Sequence, residues 1–576
     1  MKRTTRKVNV VLPLLFPVIL ILYISCNKGF DRVVEQREYI DTTSAVAQSP
    51  HVLFILTDGA RGTAIRDAEP PHIMDLTTHA IYCWNVVTDT STDDASTWAD
   101  LLTAVHSDKH EVAFGQANNL ANYPVFFRYI KDRNMDFRIL TFSASNALKG
   151  LISGVDDNQS FNGDDAATQA AALKAMTEDS ADMLVVQFNG VDTVGARYGY
   201  GLAVPEYKAA IMQTDTYIGE LVSAMKARET YKNENWLVVV ASNHGGPFII
   251  PPTEDDHTIL SNPIANGFIL FANPSFKPNF IDKPYTGNRY IGKAVEFNGV
   301  DASAVYATVA DDDHDYDFSD TVDFTIEMKI KVMPGPNGDY SYGFPSFFSK
   351  RAHFDEGVTG FAMFLEQRFW QINFGQAGQG NTQVAGGDVS DGTWHDIAAV
   401  VLNRDGKRFA RTYTDGNYNR EVEITGKGNI NTDAPLTMGF IPGSINTPAD
   451  LFISDVKIWR KALSDETIGQ YACEPGLAAD HPATDRLIGY WSGLDGTGDV
   501  IQDKATLQHD FVLHGPFQWL DFNDLVCPPP AGDLAKEMPQ PVDVPTQILN
   551  WLEVPVSPDW DLDGRVWTAD YVGLEQ

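Results

Sequence analysis

Residues 51–59 read HVLFILTDG, a short apolar run that ends abruptly in an aspartate and a glycine. Three further apolar runs of similar length lie at residues 137–142, 183–188 and 236–241. The segments between them carry apolar residues at helical spacing, most clearly at residues 206–228. Uniformly apolar runs that alternate with helices are typical of buried parallel strands. The sequence therefore predicts a doubly wound α/β domain.

Polar side chains follow three of these strands where each strand ends. Asp58 comes directly after the first run, Asp192 lies a few residues beyond the third, and Asn243 and His244 follow the fourth. Doubly wound folds bind their ligands just beyond the carboxyl ends of the strands. Carboxylate, amide and imidazole groups that meet at one edge have the chemistry of a metal site. Each of these residues alone would more often be a turn or capping residue.

Five segments carry a resemblance to a known family. They read LFILTDGAR at residues 53–61, PHIMDL at 71–76, WADLLT at 98–103, QTDTYIG at 213–219 and NHGG at 243–246. Together they resemble the alkaline phosphatase superfamily, and within it the nucleotide pyrophosphatase/phosphodiesterase-like branch. The resemblance covers most of residues 50–280 and implies an alkaline-phosphatase-like fold.

Active members of this superfamily hold two metal ions, usually zinc, around a hydroxyl nucleophile. The nucleophile is phosphorylated, and this phosphorylated intermediate is then hydrolysed. By resemblance, the metal-ligand positions of this chain are Asp58, Asp192, Asn243, His244 and His257. Asp58 and His244 correspond to one metal, whereas Asp192 and His257 correspond to the other. The resemblance thus implies a divalent metal, zinc by analogy, at this edge of the sheet.

Three positions depart from the family pattern. Asn243 replaces an aspartate, Ala196 replaces a histidine of the second metal, and Asp94 falls on the position of the nucleophile. Thr92 and Thr97 lie near it and are the alternative nucleophiles. Asp94 also fits the N-cap of a helix that is predicted to begin there. These departures predict that the metal is partly bound or absent, and they leave open whether the chain is an enzyme.

The start of the chain has the pattern of a lipoprotein signal peptide at residues 1–25. Four cations precede an apolar stretch at residues 8–24, which prolines interrupt and which is short for a bilayer span. It ends in YISC, which resembles a lipobox with Cys26 as the acylated residue. Residues 26–49 are polar and are interpreted as a tether. Because Asn27 rather than an aspartate follows the cysteine, we expect a lipid anchor in the outer membrane, on the periplasmic or the cell-surface face.

The charge of the chain restricts its partners. The formal net charge is −34, and removal of residues 1–25 with their four cations makes it −38. A chain this acidic is repelled by nucleic acids, so nucleic-acid partners are not expected. The same charge suits a domain that stands in solution beside the membrane.

A second domain is predicted at residues 286–472. The stretch VDFTIEMKIKV at 322–332 alternates strictly between apolar and polar residues, which favours a strand of an antiparallel sandwich. The segments AVEFNG, DGTWH and ISDVKIWRKALS resemble concanavalin-like laminin-G domains; they lie at residues 294–299, 391–395 and 453–464. That resemblance implies binding of a glycan or a protein.

Two ligand features are expected in this second domain. Trp370, Tyr340 and Tyr342 are aromatic residues that would suit stacking on a sugar, although core or rim packing is the commoner role for any one of them. The acidic run at 311–317 is a candidate for calcium, with a solvated acidic loop as the alternative.

The rest of the chain divides into two pieces. Residues 473–535 read as a smaller β-rich module, and residues 536–576 resemble the closing segment of an alkaline-phosphatase-like domain whose first part is 50–285. Cys473 and Cys527 flank the module and are predicted to form a disulfide after export, whereas Cys83 is expected to be free and buried.

Two functions remain at this point. The first is an outer-membrane lipoprotein with an impaired phosphodiesterase-like site that binds a glycan or a partner protein through its laminin-G-like domain. The alternative is a metal-dependent extracellular hydrolase of phosphodiesters or phosphomonoesters. Fold alone does not decide function. The three departures are hard to reconcile with catalysis, so they favour the first function.

Overall fold

The computed structural model describes residues 48–89, 94–251, 254–309, 313–335, 337–442 and 449–572. The signal peptide, Cys26 and most of the tether lie outside this range, as do Thr92 and residues 311–312. Within the part described, no helix is both long and apolar enough to cross a bilayer.

The N-terminal part of the chain is built on a mixed sheet of eight strands with the order β4-β3-β5-β1-β6-β7-β2-β8. The strands are β1 (Ser49–Thr57), β2 (Ala80–Val87), β3 (Ile139–Ser143), β4 (Asp157–Ser160), β5 (Met183–Phe188), β6 (Glu234–Ser242), β7 (Asn266–Ala272) and β8 (Asn279–Phe280). Five neighbouring strands, from β4 to β6, run parallel, and β7 is antiparallel to its neighbours β6 and β2. The four predicted strands are confirmed as β1, β3, β5 and β6.

Helices cover both faces of this sheet. They are α1 (Gly62–Ala68), α2 (Pro71–Thr77), α3 (Asp94–Thr103), α4 (Ser107–His110), α5 (Phe127–Arg133), α6 (Asn146–Leu151), α7 (Asp165–Glu178), α8 (Gly190–Tyr198) and α9 (Pro205–Lys226). Alternate residues of β1 enter two separate cores, with Phe54 on one side of the sheet and Ile55 on the other. A strand that is buried on both faces needs a continuous apolar sequence, and β1 has one. The prediction of a doubly wound domain is confirmed.

The second part of the chain is a sandwich of two sheets. One sheet has the order β15-β14-β13-β12-β19-β10-β23-β22, and the other has β11-β20-β9-β24-β16-β17-β18 with β21 beside β20. The strands are β9 (Asn288–Phe297), β10 (Tyr306–Val309), β11 (Phe324–Val332), β12 (Tyr342–Arg351), β13 (Gly360–Gln367), β14 (Phe369–Gln376), β15 (Gly380–Asp388), β16 (Trp394–Arg404), β17 (Lys407–Thr414), β18 (Asn417–Glu423), β19 (Leu436–Gly439), β20 (Leu451–Trp459), β21 (Leu487–Trp491), β22 (Val500–Ile501), β23 (Phe511–His514) and β24 (Trp519–Val526). The all-β sandwich prediction is confirmed.

Residues 473–535 were predicted to form a module of their own, but the structure joins their strands to the sandwich. Strand β24 pairs with β9 along its whole length, from Trp519 opposite Val295 to Val526 opposite Asn288. Strands β22 and β23 extend the other sheet. The side-chain pattern of a strand does not show which distant strand it pairs with, so this continuity could not be predicted.

Strand β11 is buried on both faces, although its alternating sequence predicts one solvated face. The apolar residues of β11 enter the core between the sheets, and Lys329 on the opposite face is fully buried as well. Helix α10 (Asp465–Tyr471) and the chain after it cover this outer face, where Ile468 and Ala483 pack beside Ala398 and Trp459. The polar residues of the alternating pattern in β11 therefore belong to a buried charged layer and do not mark a face exposed to water.

The last described residues return to the first domain. Helices α11 (Ala531–Glu537) and α12 (Asp543–Trp551) place Leu534, Ile548 and Leu549 in the core below β1. The backbone N–H groups of Asp563 and Gly564 both donate to the carbonyl oxygen of Ala104, just after α3. The sandwich is thus inserted between two pieces of chain that share one core.

Cys473 and Cys527 form a disulfide with an S–S distance of 2.04 Å, whereas Cys83 is a buried free thiol. Burial raises the pKa of the Cys83 thiol to about 12, so it is unreactive. For residues 27–576 under denaturing, non-reducing conditions, we expect a thiol reagent to count one free thiol, and three after reduction. A count of three before reduction would contradict the disulfide.

Candidate phosphodiesterase-like site

Three side chains of the site sit at the ends of two neighbouring strands. Thr57 at the end of β1 pairs with Ser242 at the end of β6, so Asp58 and the Asn243–His244 pair leave the sheet side by side. Gly59 has a φ of +66° and lies so close to α8 that a Cβ there would approach the Cα of Asp192 to 2.5 Å. Any larger residue at this turn would push α8 away, so this glycine keeps Asp192 beside the other two strand ends.

Asp58 is buried, and both of its oxygens already accept hydrogen bonds. The indole Nε1 of Trp98 donates to Oδ1 at 3.0 Å, and Nε2 of Gln187 donates to Oδ2 at 2.5 Å. The other end of the Gln187 amide accepts from the backbone N–H of Ser145, which fixes its orientation. Burial, followed by the nearby Asp94 carboxylate, raises the pKa of Asp58 well above its ordinary value. Neither donor was recognised from the sequence, because each is an ordinary buried residue of a helix or strand.

Asp94 is the first residue of α3, and its carboxylate faces the end of β6. Its Oδ1 accepts from Nε2 of His244 at 2.7 Å and from Nδ2 of Asn243 at 3.0 Å. Burial alone would lower the pKa of His244, but the hydrogen bonds to Asp94 and to the carbonyl oxygen of Gly245 raise it to about 9. At neutral pH this is therefore an imidazolium–carboxylate ion pair. Asp94 belongs to the site, beyond its place at the start of a helix.

The side chain of Asn243 presents its amide nitrogen to the site. Its Oδ1 accepts from the backbone N–H of Gly59 at 3.2 Å and from that of His244 at 2.9 Å. These two donors and the carboxylate acceptor on the other side fix which end is oxygen. A metal ligand at this position would have to be an oxygen, so Asn243 in this orientation offers none.

Asp192 is held by a residue that the sequence analysis did not consider. The hydroxyl of Tyr200 donates to Oδ1 of Asp192 at 2.5 Å. The ring of Tyr200 lies against two glycines, where a Cβ on Gly195 or Gly246 would approach ring atoms to 2.4 and 2.3 Å. Tyr200 is buried, and its ring fills the space between α8 and the loop after β6. Ala196, the position of the absent histidine, is exposed on α8.

Two of the predicted residues are not available at the site. The side chain of His257 is 57% exposed and pairs with Asp255 at 3.4 Å. It lines a cavity whose other walls include His395 and Asp524 of the sandwich, so the structure does not bring it to the other predicted ligands. The hydroxyl of Thr97 is buried and donates to the backbone carbonyl of Asp94 at 3.3 Å. Thr97 therefore points into α3, and Thr92 lies outside the described residues.

Several oxygens at the predicted ligand positions already accept hydrogen bonds within the protein. Both oxygens of Asp58 accept hydrogen bonds, from Trp98 and Gln187. Oδ1 of Asp94 accepts from His244 and Asn243, and Oδ1 of Asp192 accepts from Tyr200. A second ion would also need ligands in place of Ala196 and His257. An ion between Asp58, Asp94 and His244 would have to replace the contact between Asp94 and His244.

The aromatic candidates of the sandwich have structural roles. Trp370 is fully buried, and its Nε1 donates to Oγ1 of Thr414 at 2.8 Å. Tyr342 is buried, with its hydroxyl on the carbonyl oxygen of Met333 at 2.6 Å. Neither can stack on a sugar. Tyr340 is half-buried, and of the acidic run Asp317 contacts His314 at 3.1 Å; calcium there stays a prediction.

Three family models match parts of the chain. Residues 128–260 match type I phosphodiesterase/nucleotide pyrophosphatase, residues 301–469 match the concanavalin A-like lectin/glucanases superfamily, and residues 477–568 match a domain of unknown function (DUF4983). The last of these spans both the final sandwich strands and the closing helices. No curated protein matches the chain.

Solved structures resemble separate parts of the chain. A 2-O GAG sulfatase has 10% identity and a TM-score of 0.33, covering 40% of this chain, which spans 66% of its length. Murine ectonucleotide pyrophosphatase/phosphodiesterase 5 has 12% identity and a TM-score of 0.30, with 40% of this chain and 90% of the other covered. A SAP-like pentraxin from Limulus polyphemus has 14% identity and a TM-score of 0.27, with 41% and 96% covered. The family models therefore place a type I phosphodiesterase/nucleotide pyrophosphatase-like segment at residues 128–260 and a concanavalin A-like segment at residues 301–469 of the same chain.

Proposed function

We propose that this protein is a lipid-anchored binding protein of the outer membrane whose phosphodiesterase-like domain does not turn over phosphodiesters. Its concanavalin A-like domain binds a glycan or a partner protein. The observation that carries the proposal is the ion pair between Asp94 and His244 at the position where a hydrolase of this family would hold a hydroxyl nucleophile. A carboxylate there repels the phosphate and offers no hydroxyl to attack it.

The contacts around the ion pair support the same conclusion. Two-metal catalysis requires one ion for the attacking oxygen and one for the leaving oxygen. Tyr200 already donates to Oδ1 of Asp192, the carboxylate that would bind the second ion. Asn243 turns its amide nitrogen, which is not a metal ligand, toward the site, so the first ion would have one ligand fewer. The domain keeps the family's fold, while the polar side chains of its site form hydrogen bonds with one another.

The alternative is a metal-dependent phosphoric ester hydrolase with an unusual site. It is favoured by the retention of Asp58 and His244 at two adjacent strand ends. In that case one ion would displace the Asp94–His244 contact, and the nucleophile would come from a residue or water that the family pattern does not supply.

We expect the purified chain to hydrolyse bis(4-nitrophenyl) phosphate and 4-nitrophenyl phosphate no faster than its His244→Gln variant in the presence of zinc. His244→Gln is further expected to remove at most one zinc per chain, because on this proposal the phosphodiesterase-like site takes no more than one ion. Rates of product release and metal analysis after dialysis measure both. Robust wild-type turnover that both Asp58→Asn and His244→Gln abolish would establish the hydrolase instead.

The anchor requires its own test. We expect Cys26→Ala to release the protein from membranes and to abolish incorporation of labelled palmitate, because the acyl chains supply the membrane affinity at about 0.8 kcal/mol per buried CH₂. Fractionation of cells with separated inner and outer membranes gives the location of the wild type. Equal labelling of wild type and variant would reject the lipobox.

Binding through the sandwich is tested with a glycan array probed by the purified chain. The structure removes Trp370 and Tyr342 from the candidate contacts, so their substitution would report on folding rather than on recognition. Concentration-dependent binding to a defined glycan class supports the proposal. An array without any bound glycan, together with turnover of phosphodiesters, would contradict it.

A further inference from the structure

We propose that Asp89, Asp100 and His106 form a structural binding site for a divalent transition-metal ion, separate from the phosphodiesterase-like site. One ligand atom of each residue lies within 4.8 Å of the ligand atoms of the other two. The three residues come from different pieces of chain. Asp89 follows β2, Asp100 lies in α3, and His106 directly precedes α4. This inference does not depend on the proposed function.

An unsatisfied oxygen points to an ion at this cluster. Asp100 is 1% exposed, and its Oδ1 accepts from Nε2 of His110 at 2.9 Å. The Oδ2 atom of the same carboxylate is buried and has no hydrogen-bond partner. A buried carboxylate oxygen without a partner is costly, and in native proteins it commonly marks an ion or an ordered water. A cation held by Asp100, Asp89 and His106 would satisfy it.

His110 prepares Asp100 for this role. Nδ1 of His110 accepts from the backbone N–H of Val112 at 2.9 Å, so the proton of the neutral ring is on Nε2 and is donated to Asp100. Burial lowers the pKa of His110 to about 4, which keeps the ring neutral. The ring therefore orients Asp100 without cancelling its charge, as outer-shell partners of metal ligands do.

Several carboxylates lie near Asp100, and one of them, Asp563, pairs with Lys109 at 2.7 Å. Burial, and then the carboxylates of Asp89, Asp108 and Asp563, raise the pKa of Asp100 well above its ordinary value. A divalent ion held by Asp100 and Asp89 would bring positive charge next to these carboxylates.

The set of donors selects the class of ion. Two carboxylates and one imidazole suit zinc and its neighbours in the first transition series better than calcium or magnesium, which prefer oxygen ligands alone. Without the ion, Nδ1 of His106 contacts Oδ1 of Asp89 at 2.9 Å. Binding exchanges this contact for two bonds to the metal and requires a neutral His106.

The position of the cluster gives the ion a structural consequence. The backbone N–H of His106 donates to Oδ2 of Asp563 at 3.0 Å, so the site adjoins the closing segment of the chain. An ion here would tie α3, which also carries Asp94 and Trp98, to the end of β2. It would thereby help to keep α3, and with it Asp94 and Trp98, in position at the phosphodiesterase-like site.

The test compares zinc binding by the full chain, purified in detergent and freed of metal, with that of three variants. Asp100→Asn removes the charge while its carbonyl oxygen keeps the bond from His110. Asp108→Asn removes the same charge from an exposed neighbour, and His244→Gln reports on the phosphodiesterase-like site. In competition with a chromophoric chelator, we expect Asp100→Asn to lose about tenfold or more in zinc affinity. The Asp108→Asn and His244→Gln variants should retain this binding.

Thermal unfolding provides a second readout. Zinc is expected to raise the unfolding midpoint of the wild type, and a chelator to reverse the rise. Asp100→Asn should be at least as stable as the wild type in chelator and should not respond to zinc at this site. The proposal is overturned if Asp100→Asn binds zinc as tightly as the wild type, or if only His244→Gln loses zinc. A wild type that binds no zinc would overturn it equally.

Discussion

Replacement of Lys329 by methionine is expected to lower the free energy of unfolding of the sandwich by about 3–5 kcal/mol. The Lys329 ammonium is fully buried on the outer face of β11, with Asp455 Oδ2 at 2.7 Å and Asp396 Oδ2 at 3.1 Å. Methionine keeps the apolar stem and removes the charge. The two carboxylates then remain buried with only Lys457, at 2.9 Å from Asp455, to oppose them.

The pKa directions agree with this expectation. Burial by itself would raise the pKa of Asp455, yet the ammonium groups of Lys329 and Lys457 hold it below the ordinary value. Burial would likewise lower the pKa of Lys329, but Asp455 and Asp396 raise it. Each partner therefore stays charged inside the protein because of the other. Removal of one partner leaves the opposite charges without compensation, which is the costly case for buried ion pairs.

Denaturant unfolding followed by tryptophan fluorescence measures the loss. As a control, Lys293→Met removes an exposed ammonium 3.3 Å from Asp521 and should leave the midpoint nearly unchanged. The double variant Lys329→Met, Asp396→Asn should recover part of the loss, because Asp455 retains Lys457. A Lys329→Met variant as stable as the Lys293→Met control would contradict the structural role of this charged layer.

The second large effect is expected when Asp94→Thr and Asn243→Asp are combined. The double variant removes the ion pair with His244, supplies a hydroxyl, and places a carboxylate oxygen beside His244 and Asp58. Residues that merely support a metal ligand are worth about 10–100-fold in affinity, so restoring a ligand should raise zinc affinity by at least about 100-fold. Titration against a chelator of known affinity measures the change.

Turnover should nevertheless remain low in this double variant. The second ion still lacks its ligands, because His257 lies away from the site and the Tyr200 hydroxyl is hydrogen-bonded to Asp192. Adding Ala196→His is expected to give little, since the histidine would project from an exposed position of α8. The matched control is Asp94→Asn, which removes the charge without providing a hydroxyl. Unchanged zinc affinity in the double variant would show that the ion pair is not what blocks the first metal.

The sequence predicted the fold and the strand-end residues because their signals are local. A strand such as β5, buried on both faces, must be apolar throughout, and its predicted bounds of 183–188 agree with Met183–Phe188. Parallel strands that end at one edge then bring Asp58, Asn243 and His244 together without any knowledge of the loops. This is why these three positions were found from the sequence and lie together in the structure.

The remaining residues of the site could not be predicted by the same route. His257 was assigned by its distance from the next strand, but a spacing does not fix where a long loop carries a side chain. Tyr200 reaches Asp192 across a turn, and nothing in its neighbourhood marks it as a partner. The burial of Lys329 depends on chain more than a hundred residues away, which no local pattern of β11 can report.

We propose that the ion pair between Asp94 and His244 closes the phosphodiesterase-like site, which then holds no two-metal centre. The most direct test of this claim is a crystal of the purified chain soaked in zinc, with anomalous differences measured at the zinc absorption edge. We predict direct contact between Asp94 and His244, or at most one zinc ion among Asp58, Asp94 and His244. Two zinc ions at this edge, with Asp192 released from Tyr200 to bind one of them, would contradict the claim.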